Sequence, residues 1–528
     1  MKFFNTSGPV NPQKHYILSP LKRFNLGNIL SLIEQEKYFV MHAPRQTGKT
    51  SCLLALRDYL NQTGNYHCLY VNVEVGQASR ENVQAGMQAI LSRFVEKARE
   101  LEGKTILQDQ WESILDSSGP YDAFLKTLCV WTETQKLPTI LLIDEIDALV
   151  GDTLISVLRQ LRAGYTDRPA HFPQTVVLCG VRDVRDYRMH SDGKDIITGG
   201  SAFNIKDESL RLGNFSRQDM EDLYAQHTET TGQVFERDAL NLAWELTQGQ
   251  PWLVNALAYQ ICFKMPEGQD RSRHVTAELM VKAKETLIIN RVTHLHQLAD
   301  KLKEDRVRRV IEPLLQGKDW EKDVNPDDLE YLIDLGLLAQ TPQGLGIANA
   351  IYREVIPRQL SWIIQMNLGS HFTGNWYVDP QTGKLDMPKL LTAFQAFFRK
   401  HSEHWVERFD YKEAGPQLLM QAFLQRILNG GGRIEREYGL GRGRTDLLVI
   451  WNHEGGVQEV VIELKIQYDS LESTIREGLG QTWEYMDHCG TSEGHLIIFN
   501  RRPKVAWSRK IFHKSRNFEG HPIEVWGM

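Results

Sequence analysis

The sequence contains no apolar run near the roughly 20 residues that a membrane-spanning helix needs. Its N-terminus has only a short apolar piece and no small-residue cleavage site, so a secretory signal is not expected. Its six cysteines are scattered and form no CxxC pair, which argues against both a disulfide framework and a zinc site. These absences predict a cytoplasmic protein without a membrane partner.

The chain also lacks a strong charge imbalance, an internal repeat and any low-complexity segment. A formal net charge of −6 gives no sign of nucleic-acid binding over the whole chain, so any such surface must be local. The 528 residues exceed what one hydrophobic core usually organises, and 41% apolar and 24% charged residues are typical of globular proteins. The length therefore predicts three or four domains.

The pattern of apolar residues divides the chain into regions. Between residues 25 and 205, strand-like runs alternate with amphipathic stretches, as in a doubly wound parallel sheet. Strands are predicted at 38–42, 68–73, 139–143 and 175–179, and helices at 50–61, 80–101, 122–134 and 153–163. Helical periodicity dominates from about 206 to 365, and a second mixed region begins near 405.

A phosphate-binding loop is predicted where the sequence reads APRQTGKT, because this segment follows an apolar strand and opens a helix. Backbone N–H groups and the helix N-terminus would surround the phosphates of ATP. Lys49 would reach the β and γ phosphates, and Thr50 would hold Mg²⁺. Alanine stands where the usual motif begins with glycine. The predicted nucleotide-binding residues of the loop are Ala43, Pro44, Arg45, Gln46, Thr47, Gly48, Lys49 and Thr50.

The acidic segment TILLIDEID, at residues 139–147, supplies the second half of this predicted site. Asp144 emerges at the carboxyl end of a buried strand, where α/β proteins bind their ligands. We expect Asp144 to bind Mg²⁺ through water and Glu145 to orient or deprotonate the attacking water. A solvated acidic helix start is the alternative. The two motifs in this order favour an ATP site.

Both motifs resemble those of the AAA+-like, archaeal-type ATPases. The resemblance implies a phosphate sensor after the strand at 175–179, for which Arg182 and Arg185 are candidates. Ion pairs of these arginines with Asp183 and Asp186 are an equally good explanation.

The same resemblance implies a lid and a homo-oligomer. The segment GQPW resembles the start of a lid helix that brings Pro251 close to the adenine, although proline in a first helical turn is also common. In AAA+ oligomers a neighbouring subunit donates an arginine finger. Arg162 and Arg168 are the candidates, with ordinary surface positions as the alternative.

Residues 328–356 resemble a winged-helix domain, because the sequence predicts a helix, a strand, a turn, a strand and a helix in that order. A winged helix can enter the major groove of DNA. The upstream segment 301–309 contains five basic residues, but acidic residues interrupt it. That pattern favours a protein adaptor or a solvated face over sequence-specific DNA binding.

An acidic β-hairpin is predicted in the C-terminal region. Two β-rich runs, 446–451 and 457–466, flank a turn that contains glycine. In the register of a four-residue turn, Asp446 stands opposite Glu463 on the neighbouring strand. Strand alternation places Lys465 on the same face. Two carboxylates so close repel each other unless a cation lies between them.

These three residues predict a metal-dependent site for cleaving phosphodiesters. Oxygen ligands from Asp446 and Glu463 suit Mg²⁺ or Mn²⁺. Such a metal polarises the phosphate and acidifies a bound water, and Lys465 would position or help deprotonate that water. Cross-strand ion pairs on a solvated sheet face are the alternative.

The segments GRTD, ELK and QTWEY, which end at Asp446, Lys465 and Tyr485, resemble the PD-(D/E)XK nucleases and more narrowly their RecB-like branch. The resemblance implies that Gln481 and Tyr485, one helical turn apart, face the active site and contact DNA or the water network. Helix packing of Tyr485 is the alternative. Two further acids, Glu437 and Glu413, are weaker candidates for the site.

A local basic segment follows this region. Residues 501–516 contain seven lysines or arginines, no acidic residue, and the interleaved aromatic residues Trp507 and Phe512. Such a segment suits contact with a nucleic-acid backbone. A solvated surface run is the alternative.

The predicted fold class is α/β, with five segments. They are a P-loop AAA+-like core (1–205), a helical lid (206–285), a winged-helix-like domain (286–365), a linker (366–404) and a mixed α/β PD-(D/E)XK nuclease-like domain (405–528). The predicted function is ATP-gated, Mg²⁺- or Mn²⁺-dependent cleavage of nucleic acid, with DNA favoured over RNA. Fusions of the resembled families are linked to defence against foreign DNA. The alternative is a nucleotide-switched signalling or adaptor ATPase whose nuclease-like domain only binds nucleic acid or a partner.

Overall fold

A computed structural model of the protein describes residues 1–183, 188–191, 195–198, 204–290, 295, 298, 300–315, 324–341, 344–368, 376–406, 415–428, 432–439, 444–468, 470–502 and 505–528. For 188–191, 195–198, 361–368, 400–406, 426–428, 432–433, 435–439 and 444–446 it describes the backbone only. The chain forms two compact units. The first comprises Met1–Leu287 and Ile333–Gly336, and the second comprises Ile288–Leu332 and Leu337–Met528.

A five-stranded parallel sheet is the centre of the first unit. Its strands are β1 (Tyr38–His42), β2 (His67–Asn72), β3 (Thr139–Asp144), β4 (Thr175–Gly180) and β7 (Lys206–Arg211), in the order β2-β3-β4-β1-β7. Strands β5 (Arg188–Ser191) and β6 (Asp195–Thr198) form a separate antiparallel pair. The four predicted strands are confirmed.

Helices cover both faces of this sheet because its strands are apolar on both sides. The helices are α1 (Leu26–Glu34), α2 (Lys49–Thr63), α3 (Val83–Glu102), α4 (Leu107–Ser118), α5 (Ala123–Glu133) and α6 (Gly151–Ala163). Leu141 and Ile143 of β3 belong to a hydrophobic cluster with α3, α5 and α6, whereas Ile140 and Leu142 belong to one with α1 and α2. This alternation gives the three-layer arrangement of a doubly wound sheet.

Strand β7 extends the sheet beyond residue 205, where the predicted core ends. Its residues pair in parallel with β1, from Tyr38↔Lys206 to His42↔Arg211. The segment KDESLR has no apolar run, so its sequence does not indicate a strand. An edge position explains the difference, since only one side of β7 pairs and most of its residues are partly or fully exposed.

The rest of the first unit is helical, as predicted for the lid. It contains α7 (Arg217–Thr231), α8 (Arg237–Thr247), α9 (Pro251–Tyr259), the π-helix Gln260–Lys264, α10 (Pro266–Gln269) and most of α11 (Ala277–Ile289). Ser216 and Asp219 form a capping box that begins α7. Within the described residues, no helix is both long and apolar enough to cross a bilayer.

Residues 305–368 show the predicted order of helix, hairpin and helix. The elements are α12 (Asp305–Leu315), α13 (Pro326–Asp334), β8 (Leu338–Thr341), β9 (Gly344–Ile347) and α14 (Ala350–Leu368). Arg306 and Arg309 both bind the carboxylate of Asp328, at 3.1 and 2.8 Å. These cations therefore serve the fold, which agrees with the adaptor or solvated-face interpretation of segment 301–309.

A six-stranded mixed sheet is the centre of the second unit. Its strands are β10 (Gly432–Gly439), β11 (Arg444–His453), β12 (Gly456–Ile466), β13 (Gly494–Phe499), β14 (Phe512–Phe518) and β15 (His521–Gly527), in the order β10-β11-β12-β13-β15-β14. Its later helices are α15 (Met387–Val406), α16 (Gly415–Leu428), α17 (Leu471–Cys489) and α18 (Trp507–Lys510). Helix α17 connects the parallel strands β12 and β13 and packs against them through Ile475 and Leu479.

The predicted linker at 366–404 does not agree with the structure. Helix α15 occupies most of its second half, and Leu390, Leu391 and Phe394 are buried. The amide of Gln395 donates to the carbonyl oxygens of Phe512 and Gly527, at 2.9 and 2.8 Å. This helix is therefore part of the folded second unit. Polar residues upstream of the helix led to the prediction of a linker.

Gly249, which lies just before α9 and packs against Phe215, is expected to tolerate no side chain. Gly249 has φ +71°, and a Cβ there would lie 2.0 Å from the carbonyl oxygen of Phe215. Gly64 has φ +70° with open space around it, so Gly64→Ala measures the backbone strain alone. We expect Gly64→Ala to cost about 1–2 kcal/mol and Gly249→Ala a further cost of about 1–3 kcal/mol. Calorimetric unfolding of both variants checks this, and equal melting temperatures would contradict it.

Candidate functional site

The predicted phosphate-binding loop lies between β1 and α2, at the carboxyl edge of the parallel sheet. Gln46 and Gly48 have left-handed φ values of 59° and 93°, and α2 begins at Lys49. Left-handed residues let successive N–H groups converge on one side, which forms an anion-binding concavity. The loop therefore has the backbone shape that phosphate binding requires.

The Lys49 side chain folds over this loop. Its Nζ donates to the carbonyl oxygens of Ala43 and Pro44, at 2.9 and 3.2 Å, and the residue is buried. The Thr47 hydroxyl also donates to Pro44, at 2.6 Å. The ammonium thus lies inside the loop, where the phosphates of a nucleotide would replace the carbonyl oxygens as its partners.

Asp144 joins the loop to the middle of the sheet. The hydroxyls of Thr50 and Tyr70 donate to its Oδ2, at 2.7 and 2.9 Å, and the Glu145 N–H donates to its Oδ1 at 3.0 Å. Asp144 is fully buried at the end of β3. The Thr50 hydroxyl and the Asp144 carboxylate are oxygen donors of the kind that Mg²⁺ prefers, so these residues fit that ion.

Glu145 follows in a left-handed conformation, with φ 56°. Burial, and after it the charge of Asp147, raises the pKa of the Glu145 carboxyl. The residue lies beside Asp144 at the carboxyl edge, where a general base for hydrolysis is expected.

A pocket adjoins the loop. Gln46, Thr47 and Gly48 line one side, and Pro251 and Trp252 at the start of α9 line another. The structure thus places Pro251 in the same pocket as the loop.

The N-terminal segment completes this pocket, although its sequence carries no nucleotide-binding motif. Trp252 donates from its indole N–H to the Thr6 oxygen (2.9 Å), and the Val10 N–H donates to the Ser51 hydroxyl (3.0 Å). The Gln226 amide binds both backbone groups of Ile17. These contacts depend on residues far apart in the chain, so no local sequence signal reveals them.

Comparison with known proteins identifies the family. Residues 28–356 match a protein family described as an AAA-like domain, which is more than half of the chain. The chain belongs to this family. Its P-loop and acidic motif both lie inside the matched residues, so this AAA-like protein is an ATPase of the AAA+ type, which binds a nucleotide, typically with Mg²⁺.

Other comparisons show only distant similarity. No curated protein sequence matches the AAA-like protein. Among solved structures, the Walker-type ATPase PABY2304 of Pyrococcus abyssi has 13% identity over 67% of this chain and 99% of that chain, with a TM-score of 0.44. RuvB of Thermotoga maritima, a Holliday junction branch migration motor, has 13% identity over 63% and 95%, with a TM-score of 0.32. Cdc6p of Pyrobaculum aerophilum has 13% identity over 61% and 88%, with a TM-score of 0.32.

The predicted sensor residues are only partly described. Arg182 follows β4, and its Nε lies 3.7 Å from Oδ2 of Asp334, which belongs to the first unit. Asp183 binds Lys206 at 2.5 Å. Arg185 and Asp186 lie outside the described residues.

Arg168 does not fit the role of an arginine finger. Its guanidinium donates to the carbonyl oxygens of Tyr165, Gln174 and Glu36 and lies 3.5 Å from the ring centre of Tyr165. These contacts occur before β1 and β4, at the end of the sheet opposite the loop. Arg162, which is exposed on α6, stays a prediction.

The acidic hairpin of the second unit has the predicted register, but its turn has two residues, Glu454 and Gly455, instead of the predicted four. Strands β11 and β12 pair from His453↔Gly456 to Leu447↔Ile462. Asp446 is the next residue of β11, and its backbone pairs with Glu437 of β10. The side chains of Asp446 and Glu437 lie outside the described part of the structure, as do Gly443 and Glu413 entirely.

Glu463 and Lys465 are brought together on β12. Lys465 Nζ lies 3.3 Å from Oε1 of Glu463, whose side chain is fully buried. The same Nζ lies 3.3 Å from Oε1 of the exposed Glu477 on α17. Glu477 was not predicted, although it precedes Gln481 by one helical turn, and that spacing is the signal that could have found it.

The two remaining candidates, Gln481 and Tyr485 on α17, differ in burial. Tyr485 is buried in the hydrophobic cluster that α17 forms with the sheet, as the packing interpretation predicts. Gln481 is half-buried one turn earlier. Among the described residues, no group of three or more His, Cys, Asp or Glu could hold a metal ion. A metal site here therefore depends on side chains outside the described residues, and Asp446 is the one predicted as a ligand.

Removal of the Tyr70 hydroxyl is expected to slow ATP hydrolysis. Tyr70→Phe deletes one of two hydroxyl donors to the buried Asp144 carboxylate. A hydrogen bond to a charged group contributes about 1.5–3 kcal/mol, so we expect the rate to fall about 10-fold or more. Steady-state ATPase rates across Mg²⁺ concentrations measure the loss. Tyr66→Phe, just before the same strand, is the control. Equal rates for Tyr70→Phe and the unmodified protein would show that Tyr70 does not support Asp144.

His42 is expected to make the first unit sensitive to acid. Burial is the main cause that lowers the pKa of His42 from 6.5 to about 4, and it outweighs the opposing charge of Asp183. Between these values only the unfolded chain takes up the proton, so stability falls as the pH drops from about 6.5 to about 4. His42→Asn should reduce the difference in melting temperature between pH 7.5 and pH 5.0. The exposed His521→Asn is the control, and an unchanged difference in His42→Asn would refute the assignment.

Proposed function

We propose that this AAA-like ATPase is a nuclease that cleaves nucleic acid, with DNA favoured over RNA, under the control of ATP. The proposal joins the nucleotide site of the first unit to a metal-dependent PD-(D/E)XK-like site in the second. The main support is the contact between Lys465 and the buried Glu463 on strand β12 of the hairpin. The partner strand of the hairpin, β11, continues to Asp446.

The nucleotide site provides the residues for ATP binding and hydrolysis. The loop at 43–50, with left-handed residues at Gln46 and Gly48, offers its N–H groups to the phosphates, and Lys49 carries a positive charge into the same loop. Thr50 and Asp144 would hold Mg²⁺, which neutralises phosphate charge when bound. Glu145 orients or deprotonates the attacking water. Pro251 closes the base end of the pocket.

The second site places the Lys465 ammonium beside the buried Glu463 carboxylate. A fully buried carboxylate such as Glu463 is costly unless a nearby cation or donor compensates its charge. Glu463 and Asp446 would hold Mg²⁺ or Mn²⁺, which polarises a phosphodiester when bound. Lys465 then positions the attacking water and offsets the charge that develops on the phosphate. Gln481 lies on α17 and contacts the nucleic acid or the water network at the site.

The basic segment supports a nucleic-acid substrate. Arg501 and Arg502 are exposed after β13, and Lys514 and Arg516 are exposed on the edge strand β14. Such clustered cations bind a phosphate backbone through charge, without selecting a sequence. We further propose a cytoplasmic homo-oligomer in which Arg162 acts as the finger, with a role in defence against foreign DNA.

A second candidate is a nucleotide-switched adaptor. The burial of Tyr485 in the hydrophobic cluster favours it, because this residue of the resembled motif serves the fold. In that case the second unit binds nucleic acid or a protein without cutting it.

Cleavage assays on the full chain separate these candidates. Plasmid DNA and a single-stranded RNA are each incubated with Mg²⁺ or Mn²⁺, with and without ATP. We expect ATP-dependent cleavage of DNA and a loss of about 100-fold or more in Asp446→Asn and Lys465→Ala, because these residues contact the reacting groups. Lys49→Ala should lose the effect of ATP.

The control variant is Glu472→Gln, which changes an exposed acid on the first turn of α17. It should cut as the unmodified chain does. Cleavage that persists in both site variants would refute the nuclease. Nucleic-acid binding that responds to ATP, without cutting under any condition, would establish the adaptor.

A further inference from the structure

One arginine connects the phosphate-binding loop to the beginning of the helical segment. Arg23 is the last residue of the 3-10 helix Pro20–Arg23. Its Nη1 donates to the Thr47 carbonyl oxygen at 3.0 Å, and its Nη2 donates to the Gly213 carbonyl oxygen at 2.6 Å. Its Cζ lies 4.6 Å from the ring centre of Phe215. One side chain thus touches the loop and the residues between β7 and α7.

These contacts are specific to a guanidinium. The Arg23 side chain is half-buried, and this burial lowers the pKa of its guanidinium. Both of its hydrogen bonds go to backbone carbonyl oxygens of segments far apart in the chain. A planar fork can bind two acceptors and stack on an aromatic ring together, whereas an ammonium cannot reproduce that geometry.

The bond to Thr47 determines the orientation of one peptide in the loop. In a planar trans peptide the C=O and the following N–H point in opposite directions. When Arg23 holds the Thr47 oxygen, the Gly48 N–H must face away from Arg23. Gly48 has φ 93°, and glycine alone permits several peptide orientations at little cost. Arg23 selects one orientation among them.

The hydrogen bond from Arg23 to Gly213 connects this peptide to the segment between β7, the last strand of the sheet, and α7, the first of the helices that follow it. Leu212 donates its N–H to the His42 oxygen at 2.9 Å, and Phe215 donates its N–H to the Gly249 oxygen at 2.9 Å. Arg23, Phe215 and the nearby Pro251 line the same pocket. The residue Gly213 lies between these two hydrogen bonds, so Arg23 connects the phosphate-binding loop to the segment between β7 and α7.

We propose that Arg23 is a positioning residue for the nucleotide. It presents the Gly48 N–H to the phosphates and holds the phosphate-binding loop against the segment between β7 and α7. The role goes beyond the proposed nuclease and depends only on the nucleotide site of the first unit.

Equilibrium binding of ATP, ADP and adenosine to the full chain tests this role, without any nucleic acid. Arg23→Lys and Arg23→Ala should bind ATP and ADP about 10-fold or more weakly, because a bond that orients a donor to a charged phosphate is lost. Adenosine, measured by competition, should change by less than about 3-fold. Added methylguanidine should restore part of the ATP affinity of Arg23→Ala. Phe215→Leu, which keeps both hydrogen bonds, should show a smaller loss in the same direction.

The control is Arg93→Lys, which conserves the charge of a surface ion pair on α3. It should bind all three ligands normally. If Arg23→Ala does not fold, Arg23→Lys decides the result. Normal ATP affinity in Arg23→Lys would overturn the proposal, and so would an equal loss for ATP and adenosine. Because no cleavage is measured, failure of the nuclease proposal would leave this result unaffected.

Discussion

The buried carboxylate of Asp144 is the constraint on which the nucleotide site depends. Its charge is compensated by Thr50 from the loop, by Tyr70 from the neighbouring strand and by the N–H of Glu145. A charge removed from water remains stable only while such donors are in place. The start of α2 and the ends of β2 and β3 are therefore held together, and the phosphate loop and the acidic motif keep a fixed separation.

The second unit also contains a buried carboxylate, but a different type of group compensates its charge. Glu463 is also fully buried near the end of a parallel strand, but an ammonium compensates it, and a second carboxylate, Glu477, holds that ammonium from the helix side. Hydroxyl donors leave the charge of Asp144 available to a cation. A lysine partner partly neutralises Glu463, so a second acid such as Asp446 is needed before a divalent ion is favoured.

Long polar side chains account for most differences between prediction and structure. An arginine side chain is longer than the roughly 5.4 Å pitch of one helical turn, so its partners cannot be read from neighbouring residues. Arg168 binds carbonyl oxygens at the far end of the sheet, and Arg23, which has no motif around it, contacts the loop. The sequence of the edge strand β7 has no apolar pattern. Its position also depends on a contact with a distant segment, because it pairs with β1.

The sequence by itself determined the local elements: the strand–loop–helix at 43–50, the acidic end of β3, the register of the β11–β12 hairpin and the helical character of residues 217–289. Each follows from short-range rules of backbone conformation and apolar spacing. Only the tertiary structure decided that Tyr70 supports Asp144, that the N-terminal segment lines the pocket and that α15 belongs to the second unit. These contacts join residues distant in the chain, and their free energy depends on packing that no local pattern encodes.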